Sequence, residues 1–378
     1  MSVTPDLIVN AIALVAAVLA MVPVAQAWRA SATAGRVLAL LAGLALLLAA
    51  RLLAWSGTAA ANVPLMLVAS WLPLLVLLVA EQIVRRHARA WMKWLVLIGG
   101  LGFTLASLVA GAWWDGPVLL ALAALQVVAT LCAVAVLVAG RRDVSAPEAT
   151  QAAIFAAALL VALPLGVSDF RAFSDLPVRG GAFGVLLLVL VIARFVGGTA
   201  RWRAVAIDVA TLAVAAALLA WGAGVIWRAA STTELVQVAA IGAAVAALAL
   251  IVQRRGEARL LARTHPSIVA AVAALPDDAG ADAILSAHPL LAAGRPVDGE
   301  VLAPYPPGLV GALAERRVAT RAAGDLARDL LDATAATHLV RLSAAPPRFL
   351  AVAAGGLTGD TLAAELAAVS RMVEGAAA

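Results

Sequence analysis

The stretch Leu248-Ala249-Leu250-Ile251-Val252-Gln253-Arg254-Arg255-Gly256-Glu257-Ala258-Arg259 divides the chain. Before Arg254 lie about 250 residues of successive apolar runs, with all ten tryptophans. After it lie about 125 residues with no tryptophan and the charge density of an ordinary soluble domain. The break sets a polytopic membrane region, 1–253, against a small C-terminal domain, 254–378.

The chain as a whole is 64% hydrophobic with a mean hydropathy of +1.01, well above the roughly half-apolar composition of soluble domains. A soluble core of this size has no room for so many long apolar segments, whereas a bilayer takes runs of about 20 residues. Residues before 254 carry 15 Lys and Arg against 9 Asp and Glu, and the remainder carries 12 against 13. The basic excess therefore belongs to the membrane region and its loops, which argues against nucleic-acid binding. Cys132 is the single cysteine. One thiol in an apolar run permits neither an internal disulfide nor a multi-cysteine metal site, and reads as a small hydrophobe at a helix interface.

Nine apolar segments emerge, at about 7–28, 37–55, 63–81, 94–112, 117–139, 151–168, 182–200, 204–227 and 235–253. The sixth is short and the second contains Arg51, so the count is eight to nine. Pro23, Pro73 and Pro164 predict kinks that neighbouring helices accommodate. Ala25-Gln26-Ala27 imitates a signal-peptidase site. The preceding residues carry Asp6 and no positive charge, so the segment is expected to be a retained first span.

One set of loops contains Arg29 and Arg36, then Arg85, Arg86, Arg89 and Lys93, then Arg141 and Arg142, Arg201 and Arg203, and finally Arg254 and Arg255. The opposite set holds Arg171, Arg179 and Arg228, with Arg51 near one span end. Positive charge beside span ends marks the cytoplasmic side, which predicts an outside N-terminus and a cytoplasmic C-terminal domain. Trp28, Trp55, Trp91, Trp94, Trp113, Trp114, Trp202 and Trp227 fall at span ends, the headgroup level that amphipathic rings prefer. Trp71 and Trp221 lie deeper and are expected to pack between helices. Gly99, Gly100 and Gly102 are expected to allow close helix approach. A single Lys against 26 Arg, together with the high Ala content, fits a GC-rich bacterial genome and hence a bacterial inner membrane.

Charge inside a span is costly and marks a functional candidate. Arg194 and Asp208 sit at similar depth on consecutive antiparallel spans. They read as an intramembrane ion pair, ahead of snorkelling by Arg194 or a proton or ion relay. Arg51 is placed to snorkel outward or to meet Asn10, and Gln126 to make an interhelical hydrogen bond. Between spans six and seven, Asp169, Phe170, Arg171, Asp175 and Arg179 precede Gly180-Gly181. This loop reads either as a hairpin closed by its own ion pairs or as a set of outer-face ligand contacts. On the other side, Arg85, Arg86, Arg89 and Lys93 are expected to meet anionic lipid headgroups. His87 among them reads as a solvated face rather than a pH sensor.

From Arg254 to Arg263 a charged helical stretch continues the last span and is expected to couple it to the C-terminal domain. Tyr305-Pro306-Pro307 breaks the chain, and 308–335 reads as one or two helices. His338–Leu342 and Phe349–Ala353 predict a hairpin, and 360–374 a closing helix. This order of helix, hairpin and helix, after an all-α transmembrane bundle, predicts a small α+β domain and is similar to that of GAF-like sensory or docking modules. His265, His288 and His338 are too widely spaced for a metal site. Gly355-Gly356-Leu357-Thr358-Gly359-Asp360 lacks the lysine of a phosphate-binding loop and reads as a turn and helix cap. No catalytic, cofactor-binding or metal-binding residue is predicted, and a non-enzymatic role is favoured.

The layout of many spans, a coupling helix and a cytoplasmic module resembles the membrane input region of bacterial polytopic sensors, the multi-span histidine-kinase-type receptors, without their kinase core. The resemblance implies a sensor that relays a membrane or outer-face signal to a cytoplasmic protein partner, or to a second copy of the chain, through 254–378. A small-molecule or ion transporter and a membrane scaffold or assembly factor are the alternatives.

Overall fold

The computed structural model describes residues 4–28, 32–58, 61–110, 116–142, 144, 146–170, 177–196, 202–227, 231–264, 268–276, 278–320, 323–334, 336–353 and 360–377. The chain forms two compact units, Met1–Arg142 with Ala146–Arg259, and Asp143–Ser145 with Leu260–Ala378. Among the described residues the first is built from helices α1 (Pro5–Ala27), α2 (Ala32–Trp55), α3 (Asn62–Val84), α4 (Ala90–Ala110), α5 (Gly116–Gly140), α6 (Ala146–Val167), α7 (Gly181–Val196), α8 (Trp202–Ile226) and α9 (Thr232–Thr264).

Eight of the nine are long and apolar enough to cross a membrane, which makes this an integral, multi-pass membrane protein. The exception is α7, whose 16 residues rise only about 24 Å against a hydrocarbon core of about 30 Å. The last residues of the expected span 182–200 lie outside the described part. The two segments that looked weakest, α2 and α6, are continuous over 24 and 22 residues. Helix α9 does not stop where its apolar part ends at Gly256 but runs on to Thr264.

Two of the three internal prolines reveal how the bundle satisfies its backbone. A proline at position i supplies no N–H to the carbonyl at i−4, and a bare carbonyl in hydrocarbon costs several kcal/mol. Pro73 frees the Ala69 carbonyl, which accepts a 3.2 Å hydrogen bond from Gln126 Nε2 on α5. Pro23 frees the Leu19 carbonyl, which accepts from Arg255 Nη1 on α9 at 3.4 Å.

Close packing depends on glycine at a few points. A Cβ on Gly140 would lie 2.6 Å from Val84 Cβ, so the ends of α5 and α3 meet almost backbone to backbone. Gly99 and Gly100 pack against Leu125 and Ser70, but Gly102 faces open space, because the third glycine lies off the contacting stripe. Trp71 does bridge helices, donating from Nε1 to Thr104 Oγ1 at 2.9 Å. Trp221 does not: it is 71% exposed, on a helix that buries only Asp208 and Ala223. The other large apolar side chains of α8, such as Ile207, Val214 and Leu218, point outward too, as lipid-facing residues do. Asn10 Nδ2 donates to the Leu48 carbonyl at 2.9 Å rather than meeting Arg51.

The second unit contains α10 (Ile268–Ala273), α11 (Ala281–Ser286), α12 (Pro289–Ala292), β1 (Arg295–Val297), α13 (Gly299–Leu302), α14 (Pro307–Ala314), β2 (Val318–Ala319), α15 (Asp325–Ala333), β3 (His338–Ala344), β4 (Pro347–Val352) and α16 (Asp360–Ala377). The strands form one antiparallel sheet in the order β1-β4-β3-β2. Strand alternation splits the core into two layers. Leu339, Phe349 and Ala351 face α14 and α15, while Val340, Leu350 and Val352 face α10, α11 and α16. The predicted hairpin is its centre. The flanking β1 and β2 were not foreseen, being three and two residues long, and Pro296 in β1 is tolerated because β1 is an edge strand. The 308–335 segment holds α14 and α15 with β2 between them.

Arg341 joins the two layers. Its Nε and Nη2 meet the Glu374 carboxylate on α16 at 2.5 and 3.2 Å, and its Nη1 donates to the Ala314 carbonyl at the end of α14. Replacing Arg341 with Ala is expected to lower the stability of this unit by about 2 kcal/mol. Amide hydrogen exchange across β3 and β4 reads the loss. Arg341→Lys recovers less than half of it, since an ammonium lacks the planar fork.

Candidate functional site

Polar groups gather at the two ends of the helical bundle. At one end, α6 turns back into α7 through a backbone-level approach. Ser168 Oγ accepts from Gly180 N at 3.0 Å, and Asp169 Oδ1 accepts from Gly181 N at 2.7 Å. A Cβ on Gly181 would fall 1.8 Å from Asp169 Oδ2, and one on Gly180 would fall 2.8 Å from the Leu165 carbonyl oxygen. The glycine pair is therefore required by the turn.

Asp169 Oδ2 also pairs with Arg51 Nη1 on α2 at 2.7 Å. Asp6, at the start of α1, accepts from the Arg179 backbone N–H at 2.9 Å, with its carboxylate 3.8 Å from Arg179 Nε. The Arg179 guanidinium lies over the Trp55 ring at 5.2 Å, within the range of a cation–π contact. Asp6, Arg51 and Trp55 are partners that the linear reading did not assign. The available signal was that opposite charges lie at the same ends of neighbouring spans. Arg171 and Asp175 lie outside the described residues.

Arg51, Trp55, Asp169, Arg179 and Gly181 border a cavity of about 350 Å³ lined by α2, α3, α5, α6 and α7. Its walls are aliphatic, with Leu44, Leu47, Leu72, Leu122, Leu163 and Leu188 among them. Arg51, Asp169, Phe170 and Arg179 stand at the helix-end mouth, and Gln126 and Thr130 border it further along α5. The wall from Leu119 to Thr130 extends about 17 Å along that helix.

At the other end Arg194, near the end of α7, grips Asp208 on α8 through two parallel bonds, Nε–Oδ2 and Nη2–Oδ1, each 2.8 Å. Arg194 Nη2 also donates to the Ala204 carbonyl at 3.2 Å. Arg254 on α9 adds a third contact, Nη2 to Asp208 Oδ1 at 2.8 Å. The Asp208 side chain is 1% exposed and that of Arg194 6%. Two guanidiniums thus share one carboxylate. Neither Asp208 nor Arg194 borders the cavity that Gln126 and Arg51 line.

In the basic segment after α3, Arg85 and Lys93 reach buried acids. Arg85 Nη2 pairs with Glu148 on α6 at 2.5 Å. Burial lowers the Arg85 pKa from its ordinary value, and Glu148 opposes that shift. Lys93 Nζ reaches the buried Glu81 at 2.7 Å, and Glu81 also accepts from Ala88 N at 2.6 Å and lies 3.8 Å from Arg36. Arg86 and Arg89 are exposed. In the second unit, His288 caps α12 by accepting from Leu290 N, and His338 is buried beside Thr337. His265 and 355–359 lie outside the described residues. Among the described residues no three His, Cys, Asp or Glu side chains converge to hold a metal ion.

The charged cluster is open to a direct test. Asp208→Ala leaves two guanidiniums facing each other in a low-dielectric site, and a loss of about 3–5 kcal/mol is expected, read as lower folded yield and melting temperature in detergent. Adding Arg194→Ala removes the most buried of the stranded charges and is expected to restore part of the yield; additive losses would show that the two side chains act separately. Comparison of the chain with protein-family models, with curated proteins and with solved structures finds no match in any of the three.

Proposed function

We propose that this protein is a non-catalytic sensor component of a bacterial inner membrane, with its N-terminus outside and residues 254–378 in the cytoplasm. There it passes a membrane or outer-face signal to a partner protein or a second copy of itself. The observation that supports this reading best is the Arg194–Asp208–Arg254 cluster. It joins the ends of α7 and α8 to α9, which among the described residues runs on from Gly256, where its apolar part ends, to Thr264. A shift of α7 or α8 moves the carboxylate that anchors Arg254, so a ligand that favours one bundle arrangement biases α9 as well.

A transporter reading asks for one solvated cavity lined by Asp208, Arg194, Gln126 and Arg51. The first two are instead locked to each other and to Arg254, apart from the cavity bordered by the last two. The orientation follows from the uneven distribution of arginine among the loops.

Two measurements test the proposal. A fluorescent protein fused after Ala378 is expected to fluoresce, and alkaline phosphatase inserted between Ser168 and Gly180 to be active; the reverse pattern inverts the topology. With the full chain in lipid nanodiscs, Asp208→Asn is expected to change amide exchange in 268–353. Unchanged exchange there, with α7–α9 loosened, would break the link between cluster and C-terminal unit. Crosslinking followed by purification of the intact protein then identifies the partner.

A further inference from the structure

We propose that the cavity among α2, α3, α5, α6 and α7 is a binding site for a single-chain anionic amphiphile, with the hydrocarbon chain in the shaft and a carboxylate or phosphate head at Arg51. The shape comes first. A volume of about 350 Å³ lies within the range of small-molecule sites. A wall extending about 17 Å along α5 makes the space long rather than round, and it suits an extended chain of about twelve carbons. Aliphatic residues form most of the shaft, with Gln126 and Thr130 among them, and the charged groups are confined to its helix-end side. That is the polarity profile of a head and tail, and it puts the head at the level where α2 and α6 end and α7 begins.

The charge of the head follows from the arginines. The Arg51 side chain is only 14% exposed, and its one ion pair among the described residues uses Nη1 on Asp169. A guanidinium carries five N–H donors, so Arg51 retains donors where it borders the cavity. Arg179 stands at the same mouth, its guanidinium laid on Trp55 and 3.8 Å from the Asp6 carboxylate. An anion entering here takes the remaining Arg51 donors in charge-assisted bonds. A cationic head would find Asp169, the carboxylate bordering the same end, already held by Arg51 and by the Gly181 N–H. The site goes beyond the coupling proposed above by naming the signal's chemistry, and its test does not read the Asp208 contact.

The test uses the full chain in phosphatidylcholine nanodiscs, with empty nanodiscs subtracted. The probes are radiolabelled dodecanoate, dodecyl phosphate, dodecanol and dodecyltrimethylammonium. The two anions are expected to bind saturably, one per chain, with the better of them naming the head. The alcohol is expected to bind about tenfold more weakly, the worth of one charge-assisted contact, and the ammonium not at all. Arg51→Gln should weaken both anions by about tenfold and leave the alcohol unchanged. Leu122→Trp fills the shaft and should weaken all chains; Met66→Trp, on a less buried part of the wall, serves if the first variant does not fold. Equal affinity for anion and alcohol, indifferent to Arg51→Gln, overturns the assignment of the head. Binding that survives both tryptophan variants overturns the cavity as the site. If no probe binds while exchange in 268–353 still responds to Asp208→Asn, this site is lost and the coupling stands.

Discussion

An ionised carboxylate cannot be left alone in a low-dielectric interior, and Asp208 is the point where that constraint organises this bundle. Helix α8 buries Asp208 and Ala223 and otherwise presents apolar side chains outward. Dispersion and lipid packing act all along such a helix, but only the carboxylate has a specific address. Two arginines from α7 and α9 supply it. Because both partners lie near helix ends, the cluster avoids the bilayer centre, where buried charge is most costly. The position of α8 is thus set largely by electrostatics, and that of α9 is tied to it.

The same logic recurs wherever polar groups enter the apolar part of the molecule. Glu81 and Asp169 each pair with a basic side chain and also accept a backbone N–H, from Ala88 and Gly181 respectively. Gln126 and Arg255 each reach a carbonyl that a proline has released. Residues that look like candidates for ion conduction or lipid contact are thus also parts of the backbone's hydrogen-bond accounting. This explains why Arg85 and Lys93, which the sequence assigned to lipid headgroups, turn inward to Glu148 and Glu81, while Arg86 and Arg89 are exposed.

The apolar segments were legible because length and composition alone decide them. The same-depth argument for Arg194 and Asp208 was legible because two antiparallel helices with a short connection leave little freedom. Arg254 was read only as an orientation anchor, since a charge at the end of a span needs no partner to make sense. Its contact with Asp208 joins residues 46 apart in the chain, which no local spacing encodes. The Arg51–Asp169 contact was hidden for the same reason, and Trp221 misled because depth in a span does not say which way a side chain points. In the second unit the hairpin stood out through alternation, whereas β1 and β2 are too short to carry a period and exist because β4 and β3 offer them an edge.

The hydrogen bond from Gln126 to the Ala69 carbonyl has an evolutionary consequence. Pro73 without Gln126 exposes a carbonyl to hydrocarbon, and Gln126 without Pro73 loses a vacant acceptor for its amide. Neither position is free to drift by itself, although 53 residues separate them in the chain. An ancestor lacking both is a consistent molecule, and so is one possessing both. The intermediate with the glutamine alone is the milder of the two, because a lone amide can turn toward the adjoining cavity. The order of acquisition that the physics favours is therefore glutamine first and proline second.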